Sequence, residues 1–347
     1  MIKGRKNSEN IIRPRQDYDT RLNKVRLGMN EKYPSMPKEL FQEIMSGFTI
    51  EEASAYPEMK TVYDAMSKFL GQPIKRILLS SGADMAIKIT LESICEKGDQ
   101  LLTCAPTYAM YTVYAKMLEC KLNSILPDEY GNFNINDLIA GAKDDIRAVI
   151  LANPNGITGF YFTYDEIRKL LTELPETPII IDEAYADFAG LDVVPLLDEF
   201  SNLIVIRSFS KNIGFTGLQV GYILARESVI EFIEKFKPGT EINSLAARAV
   251  KVLCSKPELI KAQVAETIQV RKFFANSLKE LGFKVIENGG NFVLVDFGHK
   301  TVSVRETLDN ANVEYKMVTK PFDGHIRFAI GDMQTMATVL EIIKNAD

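Results

Sequence analysis

Short apolar runs recur along residues 77–225, and they set the strongest limit on what this chain can fold into. Longer amphipathic stretches lie between them, and several runs are apolar throughout, which is typical of strands buried on both faces of a sheet. The alternation predicts an α/β fold with a mainly parallel sheet, in which ligands bind at the carboxyl ends of the strands. The predicted strands are Ile77–Ser80, Gln100–Cys104, Arg147–Ala152, Pro178–Ile181, Leu203–Arg207 and Val220–Ala225. The predicted helices between them are Ala83–Glu96, Tyr108–Leu118, Tyr164–Glu173 and Val193–Phe200.

The pattern changes after about residue 226. Two long helices are predicted there, Ser228–Lys237 and Leu245–Leu281, followed by strands at Phe292–Phe297 and Ile326–Ile330. A chain of 347 residues also favours about two domains. We therefore expect a large domain over residues 46–235, a smaller α+β domain over residues 236–347, and an arm over residues 1–45 that packs on the smaller domain.

The composition argues against several classes of partner and site. A net charge of −5 argues against a surface that binds nucleic acid. No apolar run approaches the roughly 20 residues that span a bilayer, and residues 1–15 lack the apolar core of a signal peptide. The four cysteines are scattered without metal-ligand spacing, so we expect no metal site and a reduced, cytoplasmic setting.

Two adjacent carboxylates, Asp182 and Glu183, follow the predicted strand that ends at Ile181. Such a pair can simply be the solvated end of a strand. A buried Asp can instead hold a proton on a pyridine nitrogen, which a pyridoxal-phosphate (PLP) cofactor requires. The segment alone leaves both interpretations open.

Other polar segments also follow predicted strands. Lys211 comes after the strand that ends at Arg207, and a lysine amine in a partly apolar pocket can form an imine with an aldehyde, although most lysines are solvated. Ser208 and Ser210 offer hydroxyls to a phosphate. The turn at residues 81–84 opens a helix whose free N–H groups can bind an anion, or it is merely a capped helix start. Tyr108 can stack on a flat ring or belong to the core.

Together these segments resemble the class I and II aminotransferases of PLP fold type I, and within them the histidinol-phosphate aminotransferase-like proteins, with threonine-phosphate decarboxylase as a near relative. The resemblance covers roughly Leu27 to Ile342. It implies pyridoxal 5'-phosphate as the cofactor and a seven-stranded sheet in the large domain. It also implies small amino acid and oxo acid substrates and a homodimer whose active sites use both subunits.

The resemblance assigns roles to individual positions. Lys211 matches the Schiff-base lysine, Asp182 the aspartate at the pyridine nitrogen, and Tyr185 the tyrosine near the phenolic oxygen of the cofactor. The other implied cofactor-binding residues are Gly82, Ala83 and Asp84 in the phosphate turn, the stacking Tyr108, Asn155, Ser208, Ser210, and Tyr56, which reaches the cofactor of the other subunit. The implied substrate-binding residues are Arg327, Asn30 and Lys316.

Three positions depart from the family pattern. Gly156 stands where the family has the asparagine that hydrogen-bonds the phenolic oxygen of the cofactor. Gln219 stands where it has a phosphate-binding arginine, and a neutral amide cannot replace a bidentate charged contact. Lys316 stands at the position that often carries a second substrate-binding arginine.

The resemblance implies transamination as the leading function, from an amino acid such as glutamate to an oxo acceptor, with a small phosphorylated acceptor expected. In it, Lys211 moves the α-proton and Asp182 keeps the ring nitrogen protonated. Decarboxylation of a phosphorylated amino acid on the same scaffold is an alternative. A PLP-sensing regulatory domain is a third, against which the acidic charge and the absence of a DNA-binding segment both argue.

Overall fold

The computed structural model describes residues 9, 11, 12, 20–143 and 145–346. Most of the first part of the predicted arm, residues 1–19, therefore lies outside the described residues. Within the described chain, no helix combines the length and the apolar character that crossing a membrane requires.

A seven-stranded sheet forms the centre of the larger part of the molecule, in the order β2-β8-β7-β6-β5-β3-β4. Neighbouring strands are parallel except for β8, which lies antiparallel between β2 and β7. The α/β architecture and the seven-stranded sheet are thus confirmed. The strands are β2 (Ile77–Ser81), β3 (Gln100–Cys104), β4 (Lys121–Ile125), β5 (Ile146–Ala152), β6 (Ile179–Asp182), β7 (Leu203–Ser208) and β8 (Val220–Ala225).

The edge strand β4 is the one strand of this sheet that the apolar pattern did not predict. Its sequence, Lys-Leu-Asn-Ser-Ile, is largely polar, and none of its residues is fully buried. An edge strand pairs on one side only and needs no continuous apolar run, so its signal in the sequence is weak.

Helices cover both faces of the sheet, because alternate residues of each strand point to opposite sides. Ile180 and Ile204 belong to one apolar cluster, while Ile181 and Val205 belong to the other. The helices of this part are α1 (Lys38–Ser46), α2 (Ile50–Ser54), α3 (Met59–Leu70), α4 (Gly82–Ile94), α5 (Ala109–Met117), α6 (Ile135–Gly141), α7 (Tyr164–Glu173), α8 (Glu227–Ile233) and α9 (Ser244–Cys254). The stretch predicted as a helix over Val193–Phe200 forms only a short 3-10 turn, Val194–Asp198.

A second, antiparallel sheet in the order β12-β13-β10-β9 follows in the chain. It packs with three helices on an apolar cluster of its own. Its strands are β9 (Lys284–Ile286), β10 (Phe292–Asp296), β12 (Lys316–Met317) and β13 (Ile326–Ala329). The helices are α10 (Pro257–Glu280), α11 (Thr301–Asn310) and α12 (Met333–Lys344).

The single helix predicted over Leu245–Leu281 is wrong. The chain forms two helices there, α9 and α10, and the second begins at Pro257. Proline has no N–H to continue a helix but fits its first turn, so Pro257 starts α10 and ends the earlier helix. Helix α10 joins the two parts of the molecule, since Val264 packs in the first cluster and Phe274 in the second.

The described part of the arm contacts both parts. Strand β1 (Val25–Arg26) pairs with β11 (Val313–Glu314), and Leu27 lies in the smaller cluster. Leu40 of α1 packs in the larger cluster instead. The division into an arm, a large domain and a small domain stays a proposal, and the packing of α9 against α1 and α3 in the larger apolar cluster favours a boundary within α10 rather than near residue 235.

Candidate active site

A cavity of about 640 Å³ opens where the carboxyl ends of the parallel strands meet the smaller sheet and the arm. This size is typical of sites for small organic ligands. The cavity brings together most of the residues that the sequence singled out. Those on its wall are Gly82, Ala83, Asp84, Tyr108, Asp182, Tyr185, Ser208, Ser210, Lys211, Lys316 and Arg327.

Three predicted residues are not on that wall. Tyr56 is 89 % exposed and turns to solvent just after α2. The side chain of Asn155 is buried in its own turn, where it donates to the carbonyl of Pro106 and accepts from the N–H groups of Ile157 and Thr158. Asn30 is buried behind Tyr185.

Asp182 is buried at the end of β6 with both carboxylate oxygens hydrogen-bonded. The Tyr111 hydroxyl donates to Oδ2 at 2.9 Å, and the N–H of Ala184 donates to Oδ1 at 3.1 Å. Burial raises the pKa of Asp182 to about 6, and these two hydrogen bonds and the charge of Lys211 oppose the rise. Asp182 can therefore be ionised at neutral pH and hold a cationic N–H in the cavity.

Glu183, the neighbour of Asp182, faces the opposite side of the sheet. Its carboxylate accepts two hydrogen bonds from Arg207, at 2.8 and 2.6 Å, and a third from the N–H of Val193 at 3.1 Å. Because side chains alternate along a strand, adjacent carboxylates are separated by the sheet itself. Only Asp182 faces the cavity, and Glu183 has a structural role.

Lys211 lies in the turn that follows β7, with its amine at the cavity wall. Its Nζ donates to the carbonyl of Met29 at 3.2 Å and lies 6.0 Å from the ring centroid of Tyr185. The amine makes no ion pair with a carboxylate in the described parts of the chain. A backbone carbonyl holds it, so it can be released to an aldehyde without breaking a salt bridge.

The amino end of α4 forms one side of the cavity. Gly82 has φ 77°, and strand β8 passes so close that a Cβ on Gly221 would lie 2.3 Å from the carbonyl carbon of Gly82. Both positions therefore require glycine. The turn lets free N–H groups of the helix face the cavity near Ser208 and Ser210, an arrangement that suits a phosphate.

Gln219 lies against this turn. Its Nε2 donates to the carbonyl of Thr216 at 2.6 Å, and a Cβ on Gly82 would meet its Oε1 at 3.0 Å. The cationic side chains on the cavity wall are those of Arg21, Lys211, Lys316 and Arg327 in the described residues, and none comes from the start of α4. An anion at the amino end of α4 would therefore contact helix N–H groups and neutral side chains such as those of Ser208 and Ser210.

Tyr108 stands at the start of α5 with its ring on the cavity wall. Its hydroxyl donates to Oδ1 of Asp84 at 3.1 Å, and its ring meets that of Tyr111 edge to face at 5.8 Å. Partial burial and the neighbouring carboxylate of Asp84 raise the pKa of Tyr108, so the phenol stays protonated. These two contacts fix the ring as a flat surface for a planar ligand.

Arg327 lies on β13 and is held by two backbone carbonyls. It donates to Gly156 O at 2.6 Å and to Gly28 O at 2.9 Å, and its guanidinium lies 5.3 Å from the ring centroid of Phe292. Its Nε–H is buried without a hydrogen-bond partner, and it forms no ion pair within residues 20–143 and 145–346. Burial lowers the pKa of Arg327. A buried cation with only neutral partners is a site for an anion.

Two charged residues on the wall, Arg21 and Glu31, had not been predicted to belong to the site. Arg21 pairs with Glu31 at 3.1 Å and with Glu314 at 3.0 Å. Glu31 directly follows Asn30, which the sequence had predicted as a substrate-binding residue, so its neighbour was a signal in the sequence. Arg21 belongs to no motif, and only the fold brings it to the cavity.

This chain is similar in sequence and in structure to known proteins. The model of the family described as aminotransferase class I and II matches residues 23–343. A histidinol-phosphate aminotransferase of Thermococcus kodakarensis is 30 % identical over 89 % of this chain and 88 % of its own length. One from Clostridium novyi is 26 % identical over 92 % of this chain and 91 % of its own length. The structure of histidinol-phosphate aminotransferase from Sinorhizobium meliloti in complex with pyridoxal-5'-phosphate superimposes with a TM-score of 0.84, at 20 % identity, over 93 % of this chain and 92 % of that one.

Proposed function

This chain belongs to the aminotransferase class I and II family, and from that membership we propose that it transfers an amino group from an amino acid such as glutamate to a small phosphorylated oxo acceptor. Its family is PLP-dependent, and the predicted fold type is that of the family. The choice of substrates and the role of each residue belong to the proposal.

The residues on the cavity wall fit this cofactor. The carboxylate of Asp182 is buried and faces the cavity, as an acceptor for a pyridinium N–H must. The amine of Lys211 suits the aldehyde, and the turn at Gly82–Asp84 with Ser208 and Ser210 suits the phosphate. When bound, PLP supplies an aldehyde for the amine of the substrate and a ring that withdraws electrons from the α-carbon.

Each side chain has a distinct task in this proposal. Asp182 would accept a hydrogen bond from a protonated ring nitrogen, and Tyr108 would pack on the face of the ring. The amine of Lys211 would act as the base and acid that moves the proton of the substrate α-carbon. Tyr185 would donate a hydrogen bond to the phenolic oxygen of the cofactor. Arg327 orients the substrate by gripping an oxyanion.

The observation that carries the choice of substrate is a pair of cations on neighbouring strands. Lys316 of β12 and Arg327 of β13 are directly opposite in the antiparallel register, and both line the cavity. The Cβ atoms of two residues at such positions lie about 5 Å apart on the same face of the sheet, and like charges on their side chains repel each other. A doubly charged phosphate, or a phosphate together with a carboxylate, would relieve this repulsion.

The names of the relatives support the same class of substrate, since several are called histidinol-phosphate aminotransferases. The departures at Gly156, Gln219 and Lys316 lead us to propose the phosphorylated class rather than histidinol phosphate itself. We also propose a homodimer in the cytoplasm. The exposed Tyr56 would complete the phosphate site of the second subunit, and Cys95, Cys104, Cys120 and Cys254 are all free.

Because transamination is reversible, the test runs the proposed reaction backwards, as a screen of amino donors with the purified, PLP-loaded protein and 2-oxoglutarate as acceptor. Phosphorylated amino acids such as phosphoserine and phosphothreonine should yield their oxo products and glutamate, faster than their unphosphorylated counterparts. Release of CO₂ without glutamate formation would instead identify the decarboxylase alternative. The variant Lys211→Ala should be inactive, and turnover by that variant would contradict the assignment of this lysine.

A further inference from the structure

Asn30 is a buried residue that contacts the site without lining it. We propose that it is a positioning residue for Tyr185, whose hydroxyl it fixes as a donor that points into the cavity. This inference rests on the proposed placement of the cofactor against Lys211 and Tyr185, and it does not depend on which substrate is used.

The hydrogen bond between Asn30 and Tyr185 has a defined direction. Nδ2 of Asn30 lies 3.0 Å from the hydroxyl oxygen of Tyr185, and an amide NH₂ can only donate. The oxygen of Tyr185 therefore accepts, and its single proton is left for another acceptor. The ring of Tyr185 lies on the cavity wall, so this proton is available to the phenolic oxygen of the cofactor. A hydroxyl that accepts one hydrogen bond also becomes a stronger donor in the next.

The backbone of Asn30 has an unusual conformation. Its φ of 54° lies in the left-handed region, which residues other than glycine rarely adopt and asparagine tolerates best. The side chain of Asn291 donates to the Asn30 carbonyl at 3.1 Å, and Asn30 is only 1 % exposed. An unusual backbone conformation that the surroundings hold in place is a common feature of functional sites.

The two residues before Asn30 also contact side chains of the site. Gly28 accepts a hydrogen bond from Arg327 and Met29 accepts one from Lys211, each through its carbonyl oxygen. Three consecutive residues of the arm thus contact the anion-binding cation, the reactive amine and the phenol. The segment Gly28–Asn30 positions three side chains of the site at once.

The glycine at position 156 makes the hydrogen bond from Asn30 to Tyr185 necessary. It lies beside Tyr185, where a Cβ would be 3.4 Å from Cε2 of the ring, and glycine provides no donor there. The described turn around Gly156 offers no other side chain in that place, because Asn155 is engaged within its own turn. Tyr185, polarised by Asn30, is then the donor that remains for the phenolic oxygen.

The test uses the PLP-loaded protein and follows the visible absorbance of the bound cofactor across a pH titration. A hydrogen-bond donor at the phenolic oxygen stabilises the deprotonated form of the bound cofactor. A weaker donor therefore raises the pH at the midpoint of this titration. Asn30→Gly, which keeps the left-handed backbone without strain, should raise the midpoint by about 0.5–1 pH unit. This variant leaves in place all the ionisable groups that face the same space, which are Arg21, Glu31, Asp84, Tyr108, Asp182, Tyr185, Lys211, Lys316 and Arg327.

A double-mutant comparison separates positioning from general loss of structure. Asn30→Gly should add nothing in a Tyr185→Phe background, because Asn30 acts through that hydroxyl. Asn30→Asp replaces the donor by an acceptor and should give the larger shift. Gly156→Asn should lower the midpoint and cancel most of the effect of Asn30→Gly.

Asn202→Ala is the matched control. Its amide donates to the carbonyls of Leu174 and Thr177, far from the cavity, so this variant should lose stability and leave the midpoint unchanged. A wild-type midpoint and PLP dissociation constant in both Asn30→Gly and Asn30→Asp would overturn the inference. A Lys211→Ala variant whose bound PLP keeps both the wild-type visible band and the wild-type midpoint would overturn the placement of the cofactor itself, which is a separate failure.

Discussion

The hydroxyl of Tyr111 donates to Oδ2 of Asp182 at 2.9 Å, and Tyr111 is buried behind Asp182, which lies on the cavity wall. Burial alone would favour the neutral carboxylic acid, which could not hold a pyridinium proton. The hydrogen bond favours the carboxylate and aims its remaining lone pairs at the cavity. Tyr111 thus supports the charge on which the proposed cofactor chemistry depends.

Tyr111→Phe should therefore weaken the binding of PLP by about 10-fold, since a hydrogen bond to a charged group is lost. The affinity for an analogue with carbon in place of the ring nitrogen should change little, because that analogue makes no contact with the carboxylate charge. Dissociation constants for the two ligands measure the difference. Tyr63→Phe, which removes a hydroxyl bonded to the N–H of Leu79, is the control for simple structural loss. Equal weakening of both ligands by Tyr111→Phe would contradict this role.

Asp182→Asn should make the cofactor-free protein more stable at neutral pH. The folded-state pKa of Asp182 is raised to about 6, so the folded state binds more protons than the unfolded state between about pH 4 and 6. Stability is therefore lost as the pH rises through that window, by about 3 kcal/mol in full. The variant should gain about 2 kcal/mol in the free energy of unfolding at pH 7 and nothing below pH 4. Denaturant unfolding at both pH values tests this, and a gain that is equal at both would refute it.

Gln219→Arg should tighten the binding of PLP by about 10-fold, because it adds a cation to an anion site formed by a helix end and neutral side chains. The affinity for pyridoxal, which lacks the phosphate, should not change. The ratio of the two dissociation constants isolates the phosphate contact. An unchanged ratio would mean that another cation already neutralises the phosphate in the assembled protein.

Arg327→Lys should lower kcat/KM by about 100-fold for every substrate, because lysine keeps the charge but cannot grip an oxyanion with two N–H groups. Lys316→Met should lower it by about 10-fold for phosphorylated substrates only. Steady-state kinetics with phosphorylated and unphosphorylated amino acids separate the two roles. Lys284→Met, on the far strand of the same sheet, should behave as the wild type. Equal losses for both substrate types in Lys316→Met would refute the phosphate contact.

Much of the site could be predicted because its residues follow strands. The sequence predicted that Asp182, Tyr108 and Lys211 would meet, since parallel strands present their carboxyl ends at one edge of a sheet. The predicted family, fold class and cofactor are confirmed. The individual roles of the residues stay predictions.

The rest depends on contacts that no local pattern encodes. Tyr111 follows Tyr108 by one helical turn, and nothing in the segment shows that its hydroxyl reaches Asp182. Asp182 and Glu183 look equivalent in sequence, and only the alternation of the strand, once its register is known, assigns one to the cavity and the other to Arg207. Arg21 reaches the site through ion pairs with Glu31 and Glu314, and the pairing with Glu314 spans 293 residues of chain.

Arg327 has a consequence for how the protein is made. Its two carbonyl partners belong to Gly28 and Gly156, and the first of these is 299 residues away in the chain. During synthesis, the residues that suit the cofactor leave the ribosome well before Arg327 does. A nascent chain can therefore assemble the proposed cofactor end of the cavity first, and the proposed contact of Arg327 with substrate oxyanions becomes possible only when the last strand of the second sheet has joined the fold.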